Sequence, residues 1–213
     1  MLLNITNGDY LNSKLSKENE GEFFPFREAM MQGETTPVVL NDEFIKTRAK
    51  SLNVSQDLYI QNARDLINFA DSHFNYSKLK LWFGKDSFCQ LNLLTLLALL
   101  EQINYRGDIE LALIDDESGE VLQSEISVKL GGYKSIYKTT LIDRQMIAEL
   151  GVIEKRAIEF YFDYLSPNGK LANLVKQNAN LSQEELIILL LNNSAEYGLS
   201  DILAKELITQ IKN

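Results

Sequence analysis

Residues 79–100 read LKLWFGKDSFCQLNLLTLLALL, and this stretch indicates the class of fold. It opens with a short apolar run over residues 79–83 that is typical of a buried strand, and Gly84-Lys85-Asp86 is typical of the turn after it. From Ser87 to about residue 105 the leucine-rich pattern predicts a helix that is apolar on most faces. A buried strand that leads through a tight turn into a buried helix is typical of a layered α/β protein.

The segments on either side continue this alternation. Three further strands are predicted, at residues 1–6, 22–26 and 108–114, and helices are predicted at 10–16, 42–52 and 54–73. Turn residues directly follow each strand, which predicts a mostly parallel layered sheet flanked by helices. Pro25 indicates an edge or the exit of its strand. The stretch 121–130 is more polar, and we assign no strand to it.

The chain becomes entirely helical after Gly131-Gly132. Helices are predicted at 143–150, 154–165, 171–177, 182–197 and 201–211. Ser182 and Glu185 fit a capping box at the start of the fourth of these helices, and Gly198 fits its C-cap. We therefore predict an α/β domain over residues 1–135, followed by an all-helical C-terminal subdomain over residues 136–213.

The composition excludes several classes of site. The chain has 213 residues and a formal net charge of −9, and this acidity disfavours nucleic acid as a partner. A single cysteine, Cys89, and a single histidine, His73, exclude an internal disulfide framework and zinc sites built from several His and Cys ligands. The most apolar run, 91–100, is far below the ~20 residues that span a bilayer. We therefore expect a cytoplasmic protein with no membrane segment. The sequence does not decide whether the protein forms a homo-oligomer.

Three segments, taken in order, resemble a known family. They are residues 5–9 (ITNGD), residues 21–30 (GEFFPFREAM) and residues 81–91 (LWFGKDSFCQL). In this order and spacing they resemble the bacterial proteins grouped as domain of unknown function family 1835, and the resemblance covers residues 1–115 best. The chain has Phe26 where members often carry tryptophan, and Lys85 where an acidic residue is common. The resemblance implies a bacterial origin and a shared site, but it brings no activity and no catalytic residues.

The main functional hypothesis is that polar groups converge at one edge of the sheet. In open α/β sheets, ligands bind beyond the carboxyl ends of the strands, and the segments after parallel strands share that edge. Arg27 could hold a phosphate or carboxylate, and Asp9, Glu28 and Asp86 could bind Mg²⁺ or act as acid and base. The acidic residues Asp115 and Asp116 follow the fourth strand at the same edge. The candidate ligand-binding residues are Asn7, Gly8, Asp9, Arg27, Glu28, Arg48, Asp86 and Gln90.

Each of these residues also has a structural interpretation. Asn-Gly-Asp is ordinary turn chemistry, and Arg27 and Glu28 could each pair with a structural partner. Asp86 would stabilise a helix N-terminus, and Ser87 with Gln90 fits a capping box. Arg48 could instead be a solvated residue on a helix face. Cys89 could be a reactive thiol at the start of a helix or an inert buried cysteine.

Two functions from different classes therefore remain. The first is a ligand-binding α/β protein, or an enzyme, that takes a phosphorylated or nucleotide-like small molecule at the carboxyl edge of the sheet. The second is a protein-interaction or regulatory module that uses an Ile- and Leu-rich face of the helical tail. The sequence specifies no cofactor, no metal and no reaction.

Overall fold

Five strands form one sheet in the computed structural model of the protein, which describes residues 1–115 and 118–212. The strands are β1 (Leu2–Asn7), β2 (Glu22–Phe26), β3 (Lys78–Phe83), β4 (Asp108–Ile114) and β5 (Val121–Ser127). Their order is β2-β1-β3-β4-β5; the first four are parallel and β5 runs antiparallel to β4. Ile5 lies opposite Phe24 on one side and Leu81 on the other, in the centre of the sheet. The predicted mostly parallel α/β fold is confirmed.

Helices flank this sheet and make up most of the C-terminal part. They are α1 (Asp9–Leu15), α2 (Asp42–Ser51), α3 (Gln56–Asn62), α4 (Arg64–Ser72), α5 (Ser87–Gln102), α6 (Tyr133–Tyr137), α7 (Lys155–Leu165), α8 (Lys170–Gln177), α9 (Gln183–Leu191) and α10 (Asp201–Lys212). None of the helices in the described part of the chain is both long and apolar enough to cross a bilayer.

The two faces of the sheet are covered unequally. One face carries Leu3, Ile5 and Leu81 into the main hydrophobic core, where α5 is buried over most of its length. The same core includes residues of α7, α9 and α10, so the helical part packs onto the α/β part. On the other face, Trp82 and Ile114 pack in a smaller apolar cluster beneath the short helix α1. This arrangement places the N-termini of α1 and α5 on opposite faces of the same sheet edge.

Both edges of the sheet carry features that oppose pairing with another strand. The register between β4 and β5 is irregular at two places, and Glu125 has φ of 60°. Pro25 on the opposite edge strand, β2, has no N–H to donate. Bulges and proline are both known to protect edges from aggregation. Strand β5 was not predicted because most of its side chains are exposed and its apolar residues do not alternate.

The predicted helix over 54–73 is interrupted at Ala63, where the backbone leaves the helical region. Next to this break, Arg27 Nη1 donates to the carbonyl oxygen of Asn62 at 3.4 Å. A short 3₁₀ turn (His73–Asn75) follows α4 and turns Phe74 outward, which leaves that ring 76% exposed. At helical spacing the sequence places Phe74 on one apolar stripe with Tyr59, Ala63, Leu66, Ile67 and Ala70. This prediction was wrong for Phe74, because α4 ends at Ser72 and Phe74 lies in the turn after it.

Two predicted helices of the C-terminal part differ from the structure. Residues 143–150 are irregular, because Arg144 has φ of 54° and ends the helical turns that run from Tyr133 to Ile142. The helix predicted over 182–197 ends at Leu191, and Gly198, with φ of 64°, closes a separate turn instead of capping that helix.

The capping box at the start of α9 is confirmed. Ser182 Oγ accepts from the N–H of Glu185, whose carboxylate accepts from the N–H of Ser182 at 2.9 Å. Hydrogen bonds from the Ser182 side chain and backbone hold the pKa of Glu185 below its ordinary value. The predicted division between residues 135 and 136 stays a prediction, since one core spans both parts.

Candidate functional site

The carboxyl ends of the four parallel strands lie at one edge of the sheet, which we call the carboxyl edge. Strand β2 lies on one side of β1, and the chain then crosses to β3 on the other side of β1. The direction in which strands are added to the sheet therefore reverses between β1 and β3. Ligands of open α/β sheets bind at this edge, at such a reversal. The polar residues after β1, β2 and β3 all lie there, together with Asp115 after β4. Asp116 and Glu117, the remainder of the acidic turn, lie outside the described residues.

Arg27 and Asp9 form an ion pair at the carboxyl edge. Arg27 Nε donates to Asp9 Oδ1 at 2.9 Å, and Nη1 donates to Asp65 Oδ2 of α4, also at 2.9 Å. The hydrogen bond with Asp9 is the largest cause that raises the pKa of Arg27. The Asn-Gly-Asp turn and the guanidinium therefore lie on the same side of the molecule. A phosphate or carboxylate that bound Arg27 would have to displace one of these two carboxylates.

Gly8 has open space around its Cα. A Cβ built at this position would meet no atom within 4 Å, and φ of 88° favours glycine. The N–H of Gly8 donates to the carbonyl oxygen of Thr6 at 3.0 Å. Gly8 is one of the candidate ligand-binding residues, but its amide is used inside the turn.

Glu28 and Arg48 form a buried ion pair instead of lining an open site. Nε and Nη2 of Arg48 donate to Glu28 Oε2 at 3.2 and 3.0 Å, and the Tyr59 hydroxyl donates to Oε1. Burial and the Glu28 carboxylate raise the pKa of Tyr59, so its hydroxyl stays protonated and donates. The remaining N–H groups of Arg48 donate to the carbonyl oxygens of Ala29, Gln32 and Glu34. All five donors of this guanidinium are therefore satisfied within the chain.

Asn92 of α5 connects the ends of β1 and β2. Its Nδ2 donates to Asn7 Oδ1 at 2.9 Å and to the Glu28 carbonyl at 2.7 Å, and its Oδ1 accepts from the Met30 N–H. Asn7 Nδ2 in turn donates to Sγ of the buried Cys89 at 2.9 Å. The Asn7 amide is thus directed into the protein, toward α5.

Asp86 and Gln90 hold the junction between β3, α5 and the helical part. Asp86 Oδ1 accepts from the Cys89 N–H at 2.9 Å and caps α5. The buried Gln90 side chain donates to the Gly84 carbonyl at 2.6 Å and accepts from the Glu154 N–H at 3.0 Å. Gln90 therefore joins the two parts of the protein.

An open cavity of about 610 Å³ lies between the carboxyl edge and the helical part. Its α/β wall comes from the β3–α5 turn, the end of β4 and the start of β5, and its other wall comes from the α9–α10 connection. The lining residues are Gly84, Lys85, Asp86, Phe88, Ile114, Asp115, Leu122, Leu191, Ser194, Ala195, Gly198 and Leu199. A second cavity of about 320 Å³ adjoins it and shares Lys85, Asp86 and Ala195.

The structure brings the candidate residues together in pairs, not in one pocket. Asp9 contacts Arg27, and Glu28 contacts Arg48; Asp86 lines the larger cavity, whereas neither of those pairs does. Within residues 1–115 and 118–212, no group of three or more Asp, Glu, His or Cys side chains is placed to hold a metal ion.

The sequence hypotheses did not include Lys85 and Asn92 among the site residues. Lys85 directly follows the end of β3, and the same strand-end rule that selected Asp86 could have selected it. Asn92 is a polar residue inside an apolar helix, and a buried amide of this kind must find hydrogen-bond partners. No sequence pattern predicts that Leu191 and Leu199 line this cavity, because only the tertiary fold brings these two residues next to the sheet.

The chain matches no family model, no curated protein and no solved structure. The resemblance of the three N-terminal segments to family 1835 therefore stays a prediction.

Proposed function

We propose that this protein binds a phosphorylated or nucleotide-like small molecule in the cavity of about 610 Å³ at the carboxyl edge. The observation that supports this most directly is the position of the cavity. It lies beyond the carboxyl ends of β3 and β4, on one side of the strand reversal between β1 and β3, and between the two parts of the chain. Ligands of open α/β sheets bind beyond the carboxyl ends of the strands, and small-molecule sites often lie where two parts of a protein meet. Its volume lies within the range of about 300–1,000 Å³ typical of small-molecule sites.

The charged groups of the cavity suit a ligand with both an anionic group and hydrogen-bond donors. Lys85 is exposed, and among the described residues none forms an ion pair with it. Its ammonium group would hold a phosphate or carboxylate as a point charge. Oδ1 of Asp86 accepts from the Cys89 N–H, and Oδ1 of Asp115 accepts from Ser118. The other lone pairs of these carboxylates would accept hydrogen bonds from hydroxyl or amino groups of a ligand, such as those of a sugar or a nucleobase.

The apolar wall of the cavity suits a planar group. Phe88 and Ile114 come from the α/β part, and Leu122, Leu191 and Leu199 face the same space. Binding sites for small molecules combine such walls with a few polar groups that fix orientation. A nucleobase against these side chains, with its phosphate at Lys85, would use both features.

Replacing Lys85 by alanine is expected to weaken nucleotide binding about tenfold to a hundredfold. The loss of one charge-assisted hydrogen bond is worth about 1.5–3 kcal/mol. Thermal-shift titrations of wild type and Lys85→Ala with adenosine 5′-monophosphate, adenosine, ribose 5-phosphate and inorganic phosphate measure this difference. The Lys129→Ala variant is the matched control, because Lys129 lines a cavity at the amino ends of β3 and β4, away from the carboxyl edge. Equal losses in the two lysine variants, or no shift of wild type with any of the four compounds, would contradict the proposal.

A second candidate function is supported by the surface of the last two helices. Ile188 of α9 is 60% exposed and Ile202 of α10 is 55% exposed, and these helices pack against each other. Exposed apolar side chains of this size are typical of a protein-interaction surface when they cluster. If this surface mediates self-association, analytical ultracentrifugation shows a concentration-dependent dimer that Ile188→Lys and Ile202→Lys both weaken. A monomer at every concentration would remove the self-association form of this candidate.

A further inference from the structure

The smaller cavity, of about 320 Å³, continues the space in which the proposed ligand lies. Lys85, Asp86 and Ala195 line both cavities, so these three residues form the boundary between them. Lys85 and Ala195 are exposed, and the side chain of Ala195 is a single methyl group. A ligand in the larger cavity can therefore extend into the smaller one past this boundary without any movement of the chain.

Two cations line the smaller cavity, one from each part of the chain. Lys85 comes from the turn between β3 and α5, and Arg156 comes from the first turn of α7. The Arg156 side chain is 72% exposed, and its Nη2 donates to the Glu196 carboxylate. Its Nε and Nη1 have no hydrogen-bond partner among residues 1–115 and 118–212. These N–H groups are therefore available to an anionic group in the cavity.

The Arg156 guanidinium is held in place on the wall of the smaller cavity. It lies over the Phe160 ring, with Cζ 5.3 Å from the ring centroid. The Phe160 ring in turn packs on the buried ring of Tyr197, at a centroid distance of 4.8 Å. A guanidinium that is already supported by a ring and a carboxylate loses less freedom when it binds an anion.

Three carboxylates also line the smaller cavity, and they outnumber its two cations. Asp86 caps α5 and Glu196 pairs with Arg156, whereas no residue in the described part of the chain pairs with the Glu154 side chain. Mg²⁺ is usually bound through one or two carboxylates together with the phosphates of its ligand. A phosphate group that carries Mg²⁺ therefore suits this mixture of charges better than the bare anion does.

We propose that the ligand is a nucleoside 5′-diphosphate, bound as its Mg²⁺ complex. This inference rests on the proposed function, in which the nucleoside occupies the larger cavity and its first phosphate contacts Lys85. The second phosphate then lies in the smaller cavity, where Arg156 donates hydrogen bonds to it. The Mg²⁺ ion joins the phosphates to the carboxylate of Glu154.

Isothermal titration calorimetry of the wild-type protein with adenosine 5′-monophosphate and adenosine 5′-diphosphate tests this assignment. In the presence of Mg²⁺ the diphosphate is expected to bind about tenfold to a hundredfold more tightly, because it adds one charge-assisted contact. Removal of Mg²⁺ with EDTA, or the Glu154→Gln substitution, should reduce this gain. Equal affinities for the two nucleotides would overturn the diphosphate site. A gain that neither EDTA nor Glu154→Gln reduces would overturn the role of Mg²⁺.

Arg156→Ala is expected to remove the gain of the diphosphate and to leave the affinity for the monophosphate unchanged. The substitution removes one exposed ion pair, so the protein should keep its fold. Lys155→Ala is the matched control, because Lys155 is the preceding residue of α7, pairs with Glu159 and lines neither cavity. Equal losses of diphosphate affinity in the two variants, or equal losses for both nucleotides in Arg156→Ala, would overturn the proposal.

The same titrations separate this inference from the proposed function. If the wild-type protein binds the monophosphate and gains nothing from the second phosphate, the proposed function stands and the diphosphate site is overturned alone. If it binds neither nucleotide, the proposed function fails for adenine nucleotides, and the diphosphate site falls with it.

Discussion

Replacing Arg48 by methionine is expected to lower the free energy of unfolding by about 3–5 kcal/mol, because it leaves the Glu28 carboxylate buried without its cation. Arg48 has no exposed surface, and its five N–H groups hold Glu28 and three carbonyl groups of the segment between β2 and α2. Methionine fills a similar volume but donates no hydrogen bond. Urea denaturation followed by circular dichroism measures the difference.

Arg27→Met is the matched control for this change. Arg27 pairs with two aspartates, but its side chain is 33% exposed and that of Asp9 is 68% exposed. Exposed ion pairs contribute about 0–1 kcal/mol, so the control should cost no more than that. Equal destabilisation by the two substitutions would contradict the assignment of Arg48 to a structural role.

Asn92→Leu is expected to lower the free energy of unfolding by about 2–4 kcal/mol. The substitution leaves Asn7 Oδ1, the Glu28 carbonyl and the Met30 N–H without their present partner, and each unpaired buried group costs about 1–3 kcal/mol. The costs do not add fully, because the backbone relaxes and water enters. Chemical denaturation of the variant and of wild type measures the loss.

Thr95→Val tests whether Asn92 is special within α5. Thr95 is also fully buried and lies one turn further along the helix, but its hydroxyl donates only to the Leu91 carbonyl of its own helix. Valine has the same shape as threonine, and its introduction removes no hydrogen bond to another segment of the chain. We therefore expect the free energy of unfolding to change by less than about 1 kcal/mol. A larger loss in Thr95→Val than in Asn92→Leu would show that helix burial, and not the connection to β1 and β2, determines the effect.

The fold could be predicted from local patterns wherever these patterns were strong. The apolar run before Gly84 and the leucines after Ser87 specified β3 and α5, and Ser182 with Glu185 specified the start of α9. Where tertiary contacts decide, the sequence was ambiguous. The helix break at Ala63 lies next to a carbonyl that accepts from Arg27, a residue 35 positions away in the chain from Asn62.

The carboxyl edge could be predicted only as a location. The rule that polar groups follow parallel strands placed Asp9 and Arg27 together, and they do form an ion pair. The rule does not distinguish a residue that faces a ligand from one that faces the core. Glu28 and Arg48 are charged like Asp9 and Arg27, yet α2 and α3 bury them. The second wall of the cavity comes from residues 191–199, far away in sequence from the strands.

Backbone amide chemical shifts during titration with adenosine 5′-monophosphate test whether a ligand occupies the cavity of about 610 Å³ between the carboxyl edge and the helical part. We expect the largest shift changes at the amides of Lys85, Phe88 and Ala195, which line the cavity from both parts of the chain. Shift changes centred on Arg106 and Gly107, near the amino end of β4, would contradict binding in this cavity, and so would the absence of a saturable change at any amide.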